Sequence, residues 1–122
     1  LTWMDAKIGD WVVTPRSGKA VEINALWYNA IRFSLDLAGQ ASDTKFVKDW
    51  KDLPELIGNS FLEHFWNGEK GYLADYIHGD FRDMAVRPNQ LWTSNSLRIL
   101  NQKWVSELET RGSTWWFLKH DE

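Results

Sequence analysis

Apolar residues recur at spacings of three and four through "VEINALWYNAIRFSLDLAG": Ile23, Leu26, Ala30, Phe33 and Leu37. That period predicts a helix over 21–38, with Gly39 as its C-terminal stop. Val21, Trp27, Ile31 and Leu35 add a second stripe, so the helix is expected to be buried over most of its girth. Its polar members, Glu22, Asn24 and Asn29, then stand out. A second stripe runs through Phe46, Trp50, Leu53, Ile57, Phe61 and Phe65. It predicts helix over 45–66, preceded by a cap at Ser42 or Asp43. Pro54 either kinks this helix or starts a new one. A third helical segment is predicted over 91–111, with Leu97, Leu100, Trp104 and Leu108 on one face and Gly112 as its end. No helical period runs from Leu1 to Lys19, where "TPRSGK" reads as a turn. "YLADYIHGD" reads as a short strand or an extended loop.

Composition narrows the class. The 122 residues suit one small domain or a piece of a larger one. The first residue is Leu, which leaves processing, excision and fragmentation all open. No apolar run is long enough to cross a bilayer, so a membrane partner is not expected. There is no cysteine, which excludes thiolate metal sites and fits a reducing, cytoplasmic setting. His64, His78 and His120 have no metal-ligand spacing, and neither metal nor cofactor is expected. Net charge is −3 with the signs scattered, which argues against nucleic-acid binding. Nine Trp is a high count. Trp fills cores, but it also stacks on the apolar faces of sugar rings.

One carboxylate is conspicuous. Asp5 sits among Leu1, Trp3, Met4, Ile8 and Trp11. A carboxylate in such company is costly unless paired, hydrogen-bonded or protonated, although a surface loop can hold it freely.

"TWMDAKIGDWVVTPRSGKAVEINALWYNA" together with "VRPNQLW" resembles the glucosidase part of glycogen debranching enzymes, especially the bacterial amylo-α-1,6-glucosidase type. The resemblance covers about 1–92, and the tail 93–122 is unmatched. It implies an all-α fold, a slice of an (α/α)6 toroid barrel with three to four helices and long irregular loops. The remainder of that barrel is then an expected partner, and glycogen or another branched α-glucan the expected substrate. The reaction implied is removal of α-1,6-linked glucose from limit dextrin with inversion. Inversion needs an acid and a base, with carboxyl groups about 6.5–9.5 Å apart.

The resemblance makes Asp5 the general acid, its proton held by an apolar, Trp-lined setting. The competing reading is a loop cap for the Ala6–Ile8 backbone. Nothing in the tail matches the family's base, so the isolated piece is expected to be inactive. Glu22 is a substrate-hydroxyl ligand, an orienting group or a helix cap. Arg16 pairs with Asp5, Asp10 or a sugar hydroxyl. Trp3 and Trp27 stack on glucose or fill core. Asn29 lies seven residues after Glu22 on the same face, and serves a sugar or a neighbouring backbone group. Arg87, Asn89 and Gln90 line the next loop-to-helix junction, where Asn89 is equally well a helix N-cap. The alternative to an enzyme piece is a non-catalytic carbohydrate-binding module or helical interaction remnant.

Overall fold

A computed structural model describes residues 6–90 and Thr93. The order is β1 (Lys7–Ile8), β2 (Trp11–Val12), β3 (Lys19–Ala20), α1 (Val21–Gln40), α2 (Thr44–Trp50), α3 (Leu53–Phe65), β4 (Trp66–Asn67), β5 (Tyr72–Leu73), β6 (Tyr76–His78) and β7 (Phe81–Asp83). Residues 88–90, and Thr93 after them, are helical. The helix expected over 91–111 otherwise lies outside the described residues, as does the tail beyond it.

The all-α expectation, and with it the slice of an (α/α)6 toroid, is incorrect: the fold is mixed. Seven short strands form three antiparallel sheets among the described residues, ordered β1-β2, β3-β6-β7 and β4-β5. The chain before α1 and after α3 carries hydrogen-bonded hairpins, where long irregular loops were expected. Two of them turn on the same dipeptide. Gly79-Asp80 joins β6 to β7, with His78 facing Phe81 and Gly79 at φ 56°. A glycine at positive φ in the first loop position matches the twist of a two-residue hairpin. Gly9-Asp10 turns β1 into β2 in the same register, Ile8 facing Trp11. Strands this short carry little alternation, so their signal lies in the turns.

Helix periods translate more directly. Asp43 caps α2, its Oδ1 accepting from the Phe46 N–H at 3.0 Å. Pro54 stands in the first turn of α3 and so starts a helix instead of kinking one. Helix α1 begins without a side-chain cap; the first N–H, of Val21, donates to the Asp75 carbonyl at 3.0 Å. Strand β3 pairs with β6 (Lys19 with Ile77, Ala20 with Tyr76), and this pairing brings Asp75 to the head of α1.

The core gathers Val21, Ala25 and Tyr28 of α1, Phe61 and Phe65 of α3, and Trp66, Leu73, Ala74 and Ile77 from the strands. Phe61 and Phe65 stack at 4.8 Å. The stripe that faces inward is therefore not the Ile23–Leu37 one. Ile23, Leu26, Trp27, Phe33 and Leu37 are each about half exposed or more. A helix apolar on two sides shows its period twice, and periodicity alone does not say which side meets the core.

Candidate functional site

Arg16, in the turn before β3, is the centre of a buried ion cluster at the head of α1. Its guanidinium is wholly enclosed. Nη1 and Nη2 donate to Glu22 Oε1 and Oε2 at 2.7 and 2.8 Å, a bidentate fork. Nε donates to Asp75 Oδ2 at 2.7 Å, and Nη2 also reaches Asp75 Oδ1 and the Asp75 carbonyl, both at 3.1 Å. Glu22 lies in the first turn of α1, where the helix dipole favours a carboxylate.

Asp75 binds the cluster to the rest of the fold. Its side chain is inaccessible to solvent. Besides Arg16, it accepts from Arg87 Nη1 at 2.6 Å, and Arg87 Nη1 is also 2.6 Å from Asp83 Oδ2. The Asp75 N–H donates to the Asp83 carbonyl at 2.7 Å. One residue thus ties the 13–18 turn, the start of α1, strand β7 and the 87–90 segment. Asn89, also buried, completes the contact. Its Nδ2 is 3.3 Å from Asp75 Oδ1. Turned over, the amide presents oxygen to Arg16 Nη1 and Nη2 at 3.1 and 3.2 Å, the orientation those two donors favour. Gln90 secures the same segment: Nε2 donates to the Leu73 and Ala85 carbonyls, and Oε1 accepts from the Arg87 N–H.

Electrostatics agree with the geometry. The Arg16 guanidinium is held above its ordinary range by its hydrogen bonds to Glu22, against the cost of burial, with the charges of Asp75 and Glu22 adding to it. Arg87 is raised too: burial opposes its charge, and Asp83 and Asp75 outweigh burial. Burial pushes Asp83 up, but Arg87, the Ala85 N–H and the Arg16 charge together bring it below the usual aspartate value. Its contribution to stability is therefore complete above the unfolded-state value of about 3.9 and is lost as pH falls through the lower folded value. The expected result in acid is a urea midpoint that drops below about pH 4, with a shallower drop in Asp83→Asn. An identical acid profile in that variant would remove Asp83 from the account.

The structure brings Arg16, Glu22, Arg87 and Asn89 together, with Gln90 beside them. It does not bring Trp27 or Asn29 in. Trp27 lies on the outer stripe of α1, about half exposed. Asn29 keeps a buried Oδ1 with no hydrogen-bond partner among the described residues. Asp10 is exposed in its hairpin and takes no part. Asp5 and Trp3 lie outside the described residues. Asp75 and Asp83 are the members that the sequence reading missed. The reasoning that singled out Asp5 applies equally to Asp75, a carboxylate flanked by Leu73, Ala74 and Ile77, all buried. Among the described residues no group of acidic or histidine side chains is arranged to hold a metal.

Chemically the cluster is closed: Glu22, Asp75 and Asp83 each meet a guanidinium. A family model described as amylo-alpha-1,6-glucosidase matches residues 1–111, most of the chain. Neither the curated proteins nor the solved structures provide a significant match.

Proposed function

The chain belongs to the amylo-α-1,6-glucosidase family, and from that membership we propose that it carries the acid side of a glycoside hydrolase acting on α-1,6-linked glucose in branched α-glucan, with inversion. In this reading Asp5 protonates the glycosidic oxygen as the bond to the anomeric carbon breaks. A carboxylate on the opposite face of the sugar takes a proton from the attacking water, at a separation of about 6.5–9.5 Å from the acid. Asp5 takes its role from the resemblance of "TWMD". The cluster at the head of α1 serves as the mount for the turn that follows the motif.

One observation carries the further reading that the chain alone is inactive. Glu22, the other carboxylate in a family-like motif, is clamped bidentately by Arg16. A carboxylate so held is a poor base, because protonating it breaks two charge-assisted hydrogen bonds. Asp75 is sealed from solvent and shares two guanidiniums. The base therefore comes from outside this cluster.

The test is glucose release from phosphorylase-trimmed glycogen. The chain is expected to release none above the level of an Asp5→Asn control. Release by the unsubstituted chain that disappears in Asp5→Asn would overturn the inactivity, and a parallel loss in Glu22→Gln would identify Glu22 as the base.

A further inference from the structure

The outer face of α1 is apolar and bare. Taken from Ala30 as its centre, at 100° per residue, Ile23, Leu26, Trp27, Phe33, Ser34 and Leu37 all fall within roughly 60° to either side. Val21, Ala25 and Tyr28, which meet the core, lie on the opposite side. The five large side chains of the face are each about half exposed or more, and Ala30 is exposed with them. Ser34 makes no polar demand on a neighbour, because its hydroxyl donates to the Ala30 carbonyl at 2.8 Å. The charged residues of α1, Glu22, Arg32 and Asp36, all stand outside the arc. A contiguous apolar face of this kind marks an interaction surface.

This face is complementary to its own copy. Its large residues are placed symmetrically about its one small apolar residue. Trp27 and Phe33 stand three positions before and after Ala30, and Ile23 and Leu37 stand seven. A two-fold axis at Ala30 sets two such helices antiparallel. Ile23 of each copy is then level with Leu37 of the other, and Trp27 with Phe33. Leu26 comes level with Ser34, next to Phe33. At the crossing point Ala30 meets Ala30, and two short side chains allow the axes to approach to the close end of the usual 8–10 Å or so. No charge in the arc meets its own image, the obstacle expected when a chain of net charge −3 pairs with itself. The area is sufficient. Five half-exposed large side chains offer on the order of 500 Å² per copy, so about 1,000 Å² in a pair, the floor for a specific interface. We propose that the chain forms a two-fold dimer through the outer face of α1, with the two helices antiparallel and crossing at Ala30. An interface at that floor gives reversible pairing, with a dissociation constant of about 1–100 μM.

Ala30 is exposed, so a substitution there leaves the core intact. Sedimentation of the unsubstituted chain is expected to show a monomer–dimer equilibrium in that range. Ala30→Glu sets two carboxylates face to face and should weaken pairing at least tenfold, with helical circular dichroism unchanged. The chain has no cysteine, so Ala30→Cys places a single thiol per copy on the axis. Axes about 8–10 Å apart, with each Cα about 2.3 Å from its own axis, leave the two Cα atoms about 4–5 Å apart. A disulfide spans about 4.4–6.8 Å. Ala30→Cys should therefore link into dimers at least tenfold faster than Asp36→Cys, an exposed site on the flank of the same helix. A monomer mass held up to about 1 mM would overturn the proposal. Slow labelling of Ala30→Cys by a thiol reagent would then assign the face to another part of the same chain. Dimers that Ala30→Glu leaves intact, equal linking rates for the two cysteine variants, or association that runs past the dimer would overturn it as well. Should Ala30→Glu lose its helical circular dichroism, the ratio of linking rates decides alone.

Discussion

Asp75→Ala is expected to lower stability by about 3–5 kcal/mol, the cost of leaving buried charges without a partner. A domain of this size is stable by only about 5–15 kcal/mol, so the variant stands near the edge of folding. The physical cause is the number of elements that one side chain joins. Without the carboxylate, Arg16 Nε loses its acceptor and the Arg87 bridge reduces to its contact with Asp83. The start of α1 then loosens from β7 and the 87–90 segment. Urea unfolding followed by Trp fluorescence measures the loss as a fall in midpoint with little change in slope. Asp75→Asn keeps the shape and one acceptor, and should fall between wild type and Asp75→Ala. A loss under about 1 kcal/mol in Asp75→Ala, the scale of an exposed pair, would show that the cluster does not bind these elements together.

The second large effect is expected at Gly18. It has φ 90°, and a Cβ built there would stand 2.2 Å from the Ile77 carbonyl oxygen and 3.1 Å from His78 Cα. Both obstacles are backbone of β6, so no side chain can move aside. Left-handed backbone for a residue with a Cβ costs about 1–3 kcal/mol by itself. Displacement of β6 adds to that, because β6 carries the pairing that delivers Asp75 to α1. Gly18→Ala should therefore lower the melting temperature and weaken the Arg16–Asp75 contact together. An unchanged melting temperature would contradict the close approach of the turn to β6.

The helices were legible because their cause is local. Stripes at 3.6-residue period mark α1 and α3, Asp43 marks a cap, and Pro54 marks a first turn. The inward face of α1 was not legible, since the helix is apolar on both sides and only tertiary packing chooses between them. The sheets were missed for a different reason. Strands of two or three residues have no measurable alternation, and β3 pairs with β6 across more than fifty residues of intervening chain. Of the candidate site, the TPR turn, Glu22 and the RPNQ segment could be picked out as motifs. That they meet could not: the apolar neighbours of Asp75 single it out as a carboxylate in costly company, but only the β3–β6 pairing carries it to the head of α1.

On the proposed reading Arg16 is fully engaged by Glu22, Asp75 and Asn89, and the head of α1 is a mount and not a free sugar-binding array. The most direct measurement is the Nε–H resonance of Arg16 by nitrogen-15 NMR, with exposed Arg82 as the internal reference. The expected Arg16 signal is resolved, exchanges with solvent far more slowly than that of Arg82, collapses toward it in Asp75→Asn, and does not shift when isomaltose is added. An Arg16 signal that exchanges as fast as that of Arg82, or moves on titration with the sugar, would contradict it.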